Sequence, residues 1–518
     1  MLKRIVLRTG QGLTLVVAGL LLIWMMIETW YGSIQSQFLK PSAIWPAVLF
    51  TVLLIGFIVA LTFFLSRYKT STSWLIGTFI VLTLLKFPLT ALVKIVPTSD
   101  FWSYQELAAL STDGMTWHAM MQHGFLGLYL IFPHALNVAN FFSLGNTFLG
   151  TNFFANQFIN ISATFLDMLL LYWLGTRWLN RKMGILAALI FYSIPAYWIY
   201  STLLDGAEPL MLTMWLLAML ALTNVLKPLP TAGRNDQWVN LAIGGVATLA
   251  AYMLRPTILV WPIALIIMLI ALALQVHPKQ SQPFHKLGYF IGLILVLMLS
   301  TPLLYNWMYG INLSDSDGVD YSLATGTDAK TDGQYSVPIS DHVIHELRSS
   351  KSLTKAYPKV ASSLDKTTQH NLQAMIPSGK LPGFVNTKMR ILMSEDYGFD
   401  WTVYNLSHSR ALRQSNDRWY NQRTVLLLLS FGYFDVLLVL SFISILIALV
   451  RLIAGRQRLT NHFFYNALLL DGLVIETLLF EVQGRYHIIF YLPLVGLVVT
   501  GVNATLPWIK RKLKFSSK

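Results

Sequence analysis

The chain has 518 residues, 55% of them hydrophobic and 12% charged, where a soluble domain carries about a quarter charged residues, so an ordinary water-soluble domain is excluded. The absence of cysteine excludes disulfides, thiolate nucleophiles and cysteine-bound metals. The net charge of +14 raises the question of a nucleic-acid partner, which the placement of the charges answers.

Runs of about 20 apolar residues recur along most of the chain, each long enough to cross about 30 Å of hydrocarbon as a helix. The first follows a basic start, Met1 to Arg8, and is too long for a cleavable leader. In order, the runs predict spans at 13–32, 43–65, 73–96, 154–176, 183–203, 208–226, 238–254, 257–276, 287–308, 424–450, 463–480 and 487–507. The expected fold class is an all-α polytopic membrane protein of about twelve transmembrane helices. Two connections are too long to be simple links: 97–153, expected to carry juxtamembrane helices, and 309–423, an insertion of about 110 residues. They divide the chain into 1–96, 97–153, 154–308, 309–423 and 424–518.

Twelve spans put both termini on one side. One set of connections holds Lys3, Arg4, Arg8, Arg67, Lys69, Arg177, Arg181, Lys182, Lys227, Arg234, Lys279, Lys286, Arg451, Arg456, Arg458 and the tail from Lys510, against one acid, Asp236. By the positive-inside rule that side is cytoplasmic. The excess charge is then a topology signal with anionic headgroups of the bilayer as its partner, and no nucleic-acid partner is implied. Both long connections lie on the opposite, extracytoplasmic face.

The first long connection opens with Pro97-Thr98-Ser99-Asp100-Phe101-Trp102-Ser103-Tyr104. Pro97 ends the preceding span, Thr98 or Ser99 caps a new helix, and Asp100 falls in its first turn, where the helix dipole favours an anion. Phe101, Tyr104 and Ala108 share one face, as expected of a helix lying in the interface. Phe125, Leu128, Tyr129, Phe132 and Leu136 repeat that spacing and predict a second such helix.

Other polar residues sit at the same depth: Lys94 near the end of the third span, Asp205 and Glu208 in Leu203-Leu204-Asp205-Gly206-Ala207-Glu208-Pro209, Arg255 in Leu254-Arg255-Pro256, and Glu481, Arg485 and Tyr486 in Glu481-Val482-Gln483-Gly484-Arg485-Tyr486-His487. Snorkelling explains isolated basic residues at such positions. Arg255 and Arg485, however, are wedged between tightly linked spans. Two guanidiniums with several carboxylates on one face suit a phosphate beside a group that must lose a proton. Within the spans, Lys86 and Asp167 are placed to pair with each other. The histidines have no ligand spacing, since His118 and His123 are five apart, so no metal site is assigned.

The second long connection holds 13 Lys/Arg and 12 Asp/Glu and is near neutral. Asn312 to Ser336 reads as a loop, while Asp341 to Arg348 and Gly383 to Met393 read as short helices. Trp401, Tyr404, Trp419 and Tyr420 offer aromatic surface to pack on the membrane domain. The segment either caps the site or receives an acceptor.

These residues together resemble the C-type (GT-C) membrane glycosyltransferase superfamily, in particular its bacterial dolichyl-phosphate-mannose-like protein mannosyltransferase branch, glycosyltransferase family 39. The resemblance rests on Ser99-Asp100-Phe101 with Tyr104 and Ala108, on Asn156 to Arg177 followed by Lys182 to Pro195, on Tyr200-Ser201 to Glu208-Pro209, on Arg255-Pro256-Thr257, and on Glu481 with Gly484-Arg485-Tyr486 ahead of Pro493. It implies that Asp100 is the catalytic carboxylate, that Glu208, with Asp205, belongs to the site, and that Arg255 and Arg485 hold a lipid phosphate, with Lys94 in reserve. Tyr104, Glu481 and Tyr486 complete the expected substrate-binding set. The chain departs from the family in two ways. Two extra spans precede the acidic loop, which makes the N-terminal pair an accessory. Asp100 is followed by Phe101 rather than the second acid of the eukaryotic protein mannosyltransferases.

The resemblance implies transfer of a sugar from a polyprenyl-phosphate donor to an extracytoplasmic acceptor, whether glycan, lipid or protein, with inversion at the anomeric carbon. No cofactor is implied, and a divalent metal is compatible with the chemistry without being indicated. The rival readings are a secondary transporter or lipid flippase, motivated by Lys86, Asp167, Asp435 and Asp471, and a polysaccharide polymerase or ligase that shares the donor.

Overall fold

The computed structural model describes residues 2–35, 41–67, 71–227, 234–275, 282–350, 352–394, 398–399, 402, 417–455 and 459–515. Every regular element among the described residues is a helix. Lys69, Lys279, Arg456 and Arg458 of the basic connections, Trp401 and Tyr404, and the side chains of Trp419 and Tyr420 lie outside the described residues.

Eleven helices are long and apolar enough to cross a bilayer: Leu2–Tyr31, Ser42–Arg67, Thr72–Leu92, Phe153–Trp178, Glu208–Leu226, Asn235–Leu254, Pro256–Gln275, Gln282–Leu299, Thr424–Ile453, Asn461–Leu479 and Gly484–Thr505. The pair Arg181–Tyr192 and Pro195–Leu203, bent by 65°, supplies the twelfth expected crossing when counted as one. Its bend falls at Pro195, which has no N–H to continue the first arm and opens the second. The third span is also broken. Helix Thr72–Leu84 stops before Lys86, and Phe87–Leu92 restarts with Pro88 in its first turn.

Burial sorts the spans. Ser42–Arg67 presents Trp45, Leu49, Phe57 and Phe64 outward, whereas Phe153–Trp178, Glu208–Leu226 and the last span are largely enclosed. The central hairpin is tight because two glycines face each other. A Cβ on Gly184 would lie 2.3 Å from the Tyr172 carbonyl oxygen, so these helices meet backbone to backbone, as small residues permit.

Counting the bent pair as one crossing, the connections alternate between the two ends of the bundle. Every candidate site residue then falls at the end opposite the basic connections. There, helix Ser99–Thr112 buries Phe101, Tyr104, Leu107 and Ala108, the face expected. The continuous helix expected over Phe125–Leu136 is not formed. Gly124 and Gly127 take positive φ, a short turn covers Gly127–Leu130, and a new helix, Pro133–Leu149, opens at its proline. That helix is packed inside, burying Ala135, Leu136, Val138 and Phe142.

The second long connection is largely helical. The expected short helices lie within Val337–Ser349 and Leu381–Ser394, and between them runs Leu353–Met375. The loop expected over Asn312–Ser336 is corrected in part: Asp315–Gly326 is a helix, with Asp315 and Asp317 in the first turn where the dipole favours them. The segment lies against the membrane domain. A Cβ on Gly318 would sit 2.4 Å from the Ile131 carbonyl oxygen, and one on Gly326 2.4 Å from the Phe480 carbonyl carbon. The first span is more than an accessory to it, because Trp24 donates to Asn386 Oδ1 at 2.8 Å and the buried Glu28 accepts from Arg390 Nε at 3.0 Å.

Candidate active site

Asp100 sits in the first turn of Ser99–Thr112, after Ser99, whose φ of 54° is a sparsely populated backbone for a non-glycine residue. Its Oδ2 accepts a charge-assisted hydrogen bond from Arg485 Nη2, 385 residues away in sequence. The Tyr129 hydroxyl hydrogen-bonds the same carboxylate. Arg485 keeps 5% of its side-chain exposure and Asp100 29%, so the acid edges toward solvent while its cation lies inside. Burial pushes the Asp100 carboxyl up. Arg485, by charge and hydrogen bond, with Arg255 beyond it, outweighs burial and leaves the carboxyl below the usual carboxylate range.

A second pair lies deeper. Arg255 Nη2 donates to Glu208 Oε1, with side-chain exposures of 10% and 4%. Glu208 opens helix Glu208–Leu226 just ahead of Pro209, and its Oε2 accepts from the Tyr200 hydroxyl. Gly206 lets this happen: a Cβ there would stand 1.8 Å from Tyr200 Oη and 2.8 Å from Glu208 Oε2. Arg255 is held extended between two spans, directly before Pro256.

The two pairs meet at Tyr486. Its ring centroid lies 5.6 Å from the guanidinium carbon of Arg255 and 5.6 Å from that of Arg485. Arg485 also faces Phe101 at 5.6 Å, and such cation–ring contacts strengthen when desolvated. Tyr104, one turn after Asp100, is buried within electrostatic reach of all four charges, as is His134. Burial, then Arg255, push the His134 imidazole down to about 3, so it stands neutral among them. Asp100, Glu208, Arg255 and Arg485 thus form one cluster of alternating charge with aromatic walls, the kind of arrangement that accepts a phosphate at its guanidiniums and a proton at its exposed acid.

The other candidates take no part in the two ion pairs of this cluster. Asp205 is fully buried behind it, with Oδ2 accepting from Asn156 Nδ2 at 3.1 Å and no bond to either guanidinium among the described residues. Glu481 is buried and accepts from Gln483 Nε2 at 2.7 Å and Thr325 Oγ1 at 3.3 Å, close enough to Arg485 to interact through space. Lys94 is exposed on the extended stretch leading to Asp100. The expected Lys86–Asp167 ion pair is not formed. Lys86 Nζ donates to Ser201 Oγ at 2.8 Å and Thr164 Oγ1 at 3.2 Å, while Asp167 accepts from Thr213 Oγ1 at 2.6 Å and Tyr197 Oη at 3.2 Å. Neighbouring hydroxyls solvate each charge separately, which removes the need for a direct pair.

Sequence reasoning assigned no role to Tyr129, His134 or Tyr200. Tyr200 stands eight residues before Glu208, but only the sharp turn at Gly206 makes them neighbours. His134 carried one usable signal, its place beside Pro133 at a helix start. Among the described residues no three histidine or acidic side chains are grouped to hold a metal ion.

Residues 133–305 match the family model described as dolichyl-phosphate-mannose-protein mannosyltransferase. The match takes in His134, Asp205, Glu208 and Arg255 and lies between Asp100 and Arg485 in sequence. Comparison with curated proteins gave no match. With the helical architecture, the family match supports a membrane glycosyltransferase of the C type.

Proposed function

We propose that the protein transfers a sugar from a polyprenyl-phosphate donor to a hydroxyl-bearing acceptor on the extracytoplasmic side of the cell membrane, with both termini in the cytoplasm. The observation that carries this reading is the unequal burial of the two ion pairs: one guanidinium is locked to a buried carboxylate, while the other is held by a carboxylate that still reaches solvent.

Arg255 and Arg485 bind the donor phosphodiester between them, over the Tyr486 ring. The bond from the anomeric carbon to the phosphate oxygen breaks, and its electron pair leaves with the lipid phosphate. That leaving group is acidic already and is stabilised by the two cations in place of a general acid. The acceptor oxygen forms the new bond to the anomeric carbon from the opposite face, and Asp100 takes its proton. A phosphate that draws Arg485 toward itself loosens it from Asp100, so the carboxylate becomes more basic as the donor settles. The lipid tail runs down between the spans, and the acceptor approaches at the exposed edge of Asp100. Bringing both substrates to fixed positions beside Asp100 supplies the rest of the acceleration.

The test is the product of purified protein given a polyprenyl-phosphate sugar of known anomeric configuration. An inverted product is expected. A retained configuration, or transfer from a nucleotide sugar with no lipid carrier, overturns the reading.

A further inference from the structure

We propose that Lys388, in the helix Leu381–Ser394 of the second long connection, is a positioning residue that holds Arg485 in place by clasping the loop ahead of it. This rests on the reading of Arg485 as a phosphate ligand.

Lys388 is 1% exposed, and no carboxylate forms an ion pair with it among the described residues. Its Nζ donates to the Gly326 carbonyl at 2.7 Å and to the Phe480 carbonyl at 2.6 Å. Those two oxygens have a common character. Gly326 ends helix Asp315–Gly326, and Phe480 caps helix Asn461–Leu479. The last carbonyls of a helix lack intrahelical partners and carry the negative end of its dipole. One ammonium therefore closes two helix C-termini, one from the outer segment and one from the membrane domain. That accounts for a cation buried away from water. Burial brings the ammonium down to about 8, with Glu481 opposing.

The room for this side chain is built in. Gly333 has φ 77°, and a Cβ there would fall 2.9 Å from Lys388 Cδ and Cε. The Gly333 carbonyl accepts the Val482 N–H at 2.9 Å, and Thr325 reaches Glu481. Beyond Arg485, His487 Nδ1 hydrogen-bonds the Leu392 carbonyl of the same outer helix at 3.0 Å. That helix thus grips the chain five residues before Arg485 and two residues after it. On its far side it is fixed to the first span through Asn386 and Arg390. Arg485 is aimed at Asp100 from a short turn, Gly484–Phe490, which this one helix grips ahead of its start at Phe480 and within it at His487.

Three readouts on the full-length protein in detergent test this. Amide hydrogen exchange at Val482 reads the clasp with no ligand present. Affinity for polyprenyl monophosphate reads the phosphate grip, and the thermal midpoint reads folding. Lys388→Met is expected to speed exchange at Val482 and to weaken affinity about tenfold, as a binding-ready Arg485 populated about a tenth of the time would, with Lys388→Arg recovering part of both. Added to Arg485→Gln, Lys388→Met is expected to cost no further affinity, whereas a merely structural lysine would lower the midpoint and leave the affinity of the folded fraction unchanged. Arg390→Ala, which loosens the same helix from the first span, is expected to act in the same direction more weakly, and it serves if the methionine variant does not fold. Wild-type exchange at Val482, or affinity losses that multiply fully with Arg485→Gln, overturn the proposal. If Arg485→Gln binds the lipid phosphate like wild type, the phosphate reading falls and this role with it, while the exchange result judges the clasp separately.

Discussion

The same chemical change at two carboxylates should give opposite phenotypes. Glu208→Gln and Asp100→Asn both remove one charge and keep the side-chain shape. Around Glu208 the pair is closed, with exposures of 10% for Arg255 and 4% for the acid. Removing the acid leaves Arg255 desolvated beside the Tyr486 ring, with Asp100 acting on it only through space. Breaking a buried pair from one side costs about 3–5 kcal/mol, a large share of a typical folding free energy. Around Asp100 the pair is open on the acid side at 29% exposure. Arg485 keeps the Phe101 and Tyr486 rings and the field of Glu481. With the acid side open to solvent but Arg485 itself 5% exposed, the loss there is intermediate, about 1–3 kcal/mol. Turnover reverses the order, because a general base is worth about 10²–10⁴-fold. Thermal unfolding in detergent, paired with single-turnover sugar transfer, separates the two. Asp100→Asn should unfold closer to the wild-type midpoint and be almost inactive, whereas Glu208→Gln should unfold several degrees lower than either. Near-normal turnover in Asp100→Asn removes Asp100 from the base role, and a wild-type midpoint in Glu208→Gln refutes the burial argument.

Gly206→Ala should disrupt the Tyr200–Glu208 hydrogen bond, since the added methyl meets Tyr200 Oη at 1.8 Å; a loss of about 1–3 kcal/mol is expected, and an unchanged midpoint would show that the turn relaxes freely. Arg485→Gln removes the charge that offsets burial at Asp100, so the acid limb of kcat/KM should move to higher pH, and a limb that stays put would detach it from Asp100. Burial raises Asp205 from 3.8 to about 8, so the folded chain keeps a proton that the unfolded chain releases. Its contribution to stability therefore declines as pH rises from 3.8 toward about 8 and is level above. Asp205→Asn should abolish that slope, as midpoints at pH 5 and pH 8 would show.

Some of this architecture is legible locally and some is not. The buried face of Ser99–Thr112 follows from helical spacing, whereas the break at Pro88 and the bend at Pro195 interrupt runs expected to be continuous over 73–96 and 183–203, a proline without an N–H opening a new helix at each. The stretch Asn312–Ser336 misleads because Asp, Ser, Thr and Gly favour turns when nothing packs against them. Here Tyr321, Ala324 and Gly326 are buried, and docking on Phe480 overrides the weak propensity. The glycines at 124 and 127 mislead in the other direction, since a hydrophobic repeat hides two residues whose backbone will not continue a helix.

The sequence by itself determines the crossings and the segregation of basic connections to one end. A bilayer admits only segments of about 20 apolar residues whose backbone bonds close internally, and that requirement is local. Which charges meet was decided by the tertiary structure. Lys86 and Asp167, on consecutive spans, each found hydroxyls instead of one another. Asp100 found Arg485 across 385 residues. Pairing across such a distance depends on how twelve helices pack and on which side chains water can still reach, and neither is encoded at any one position.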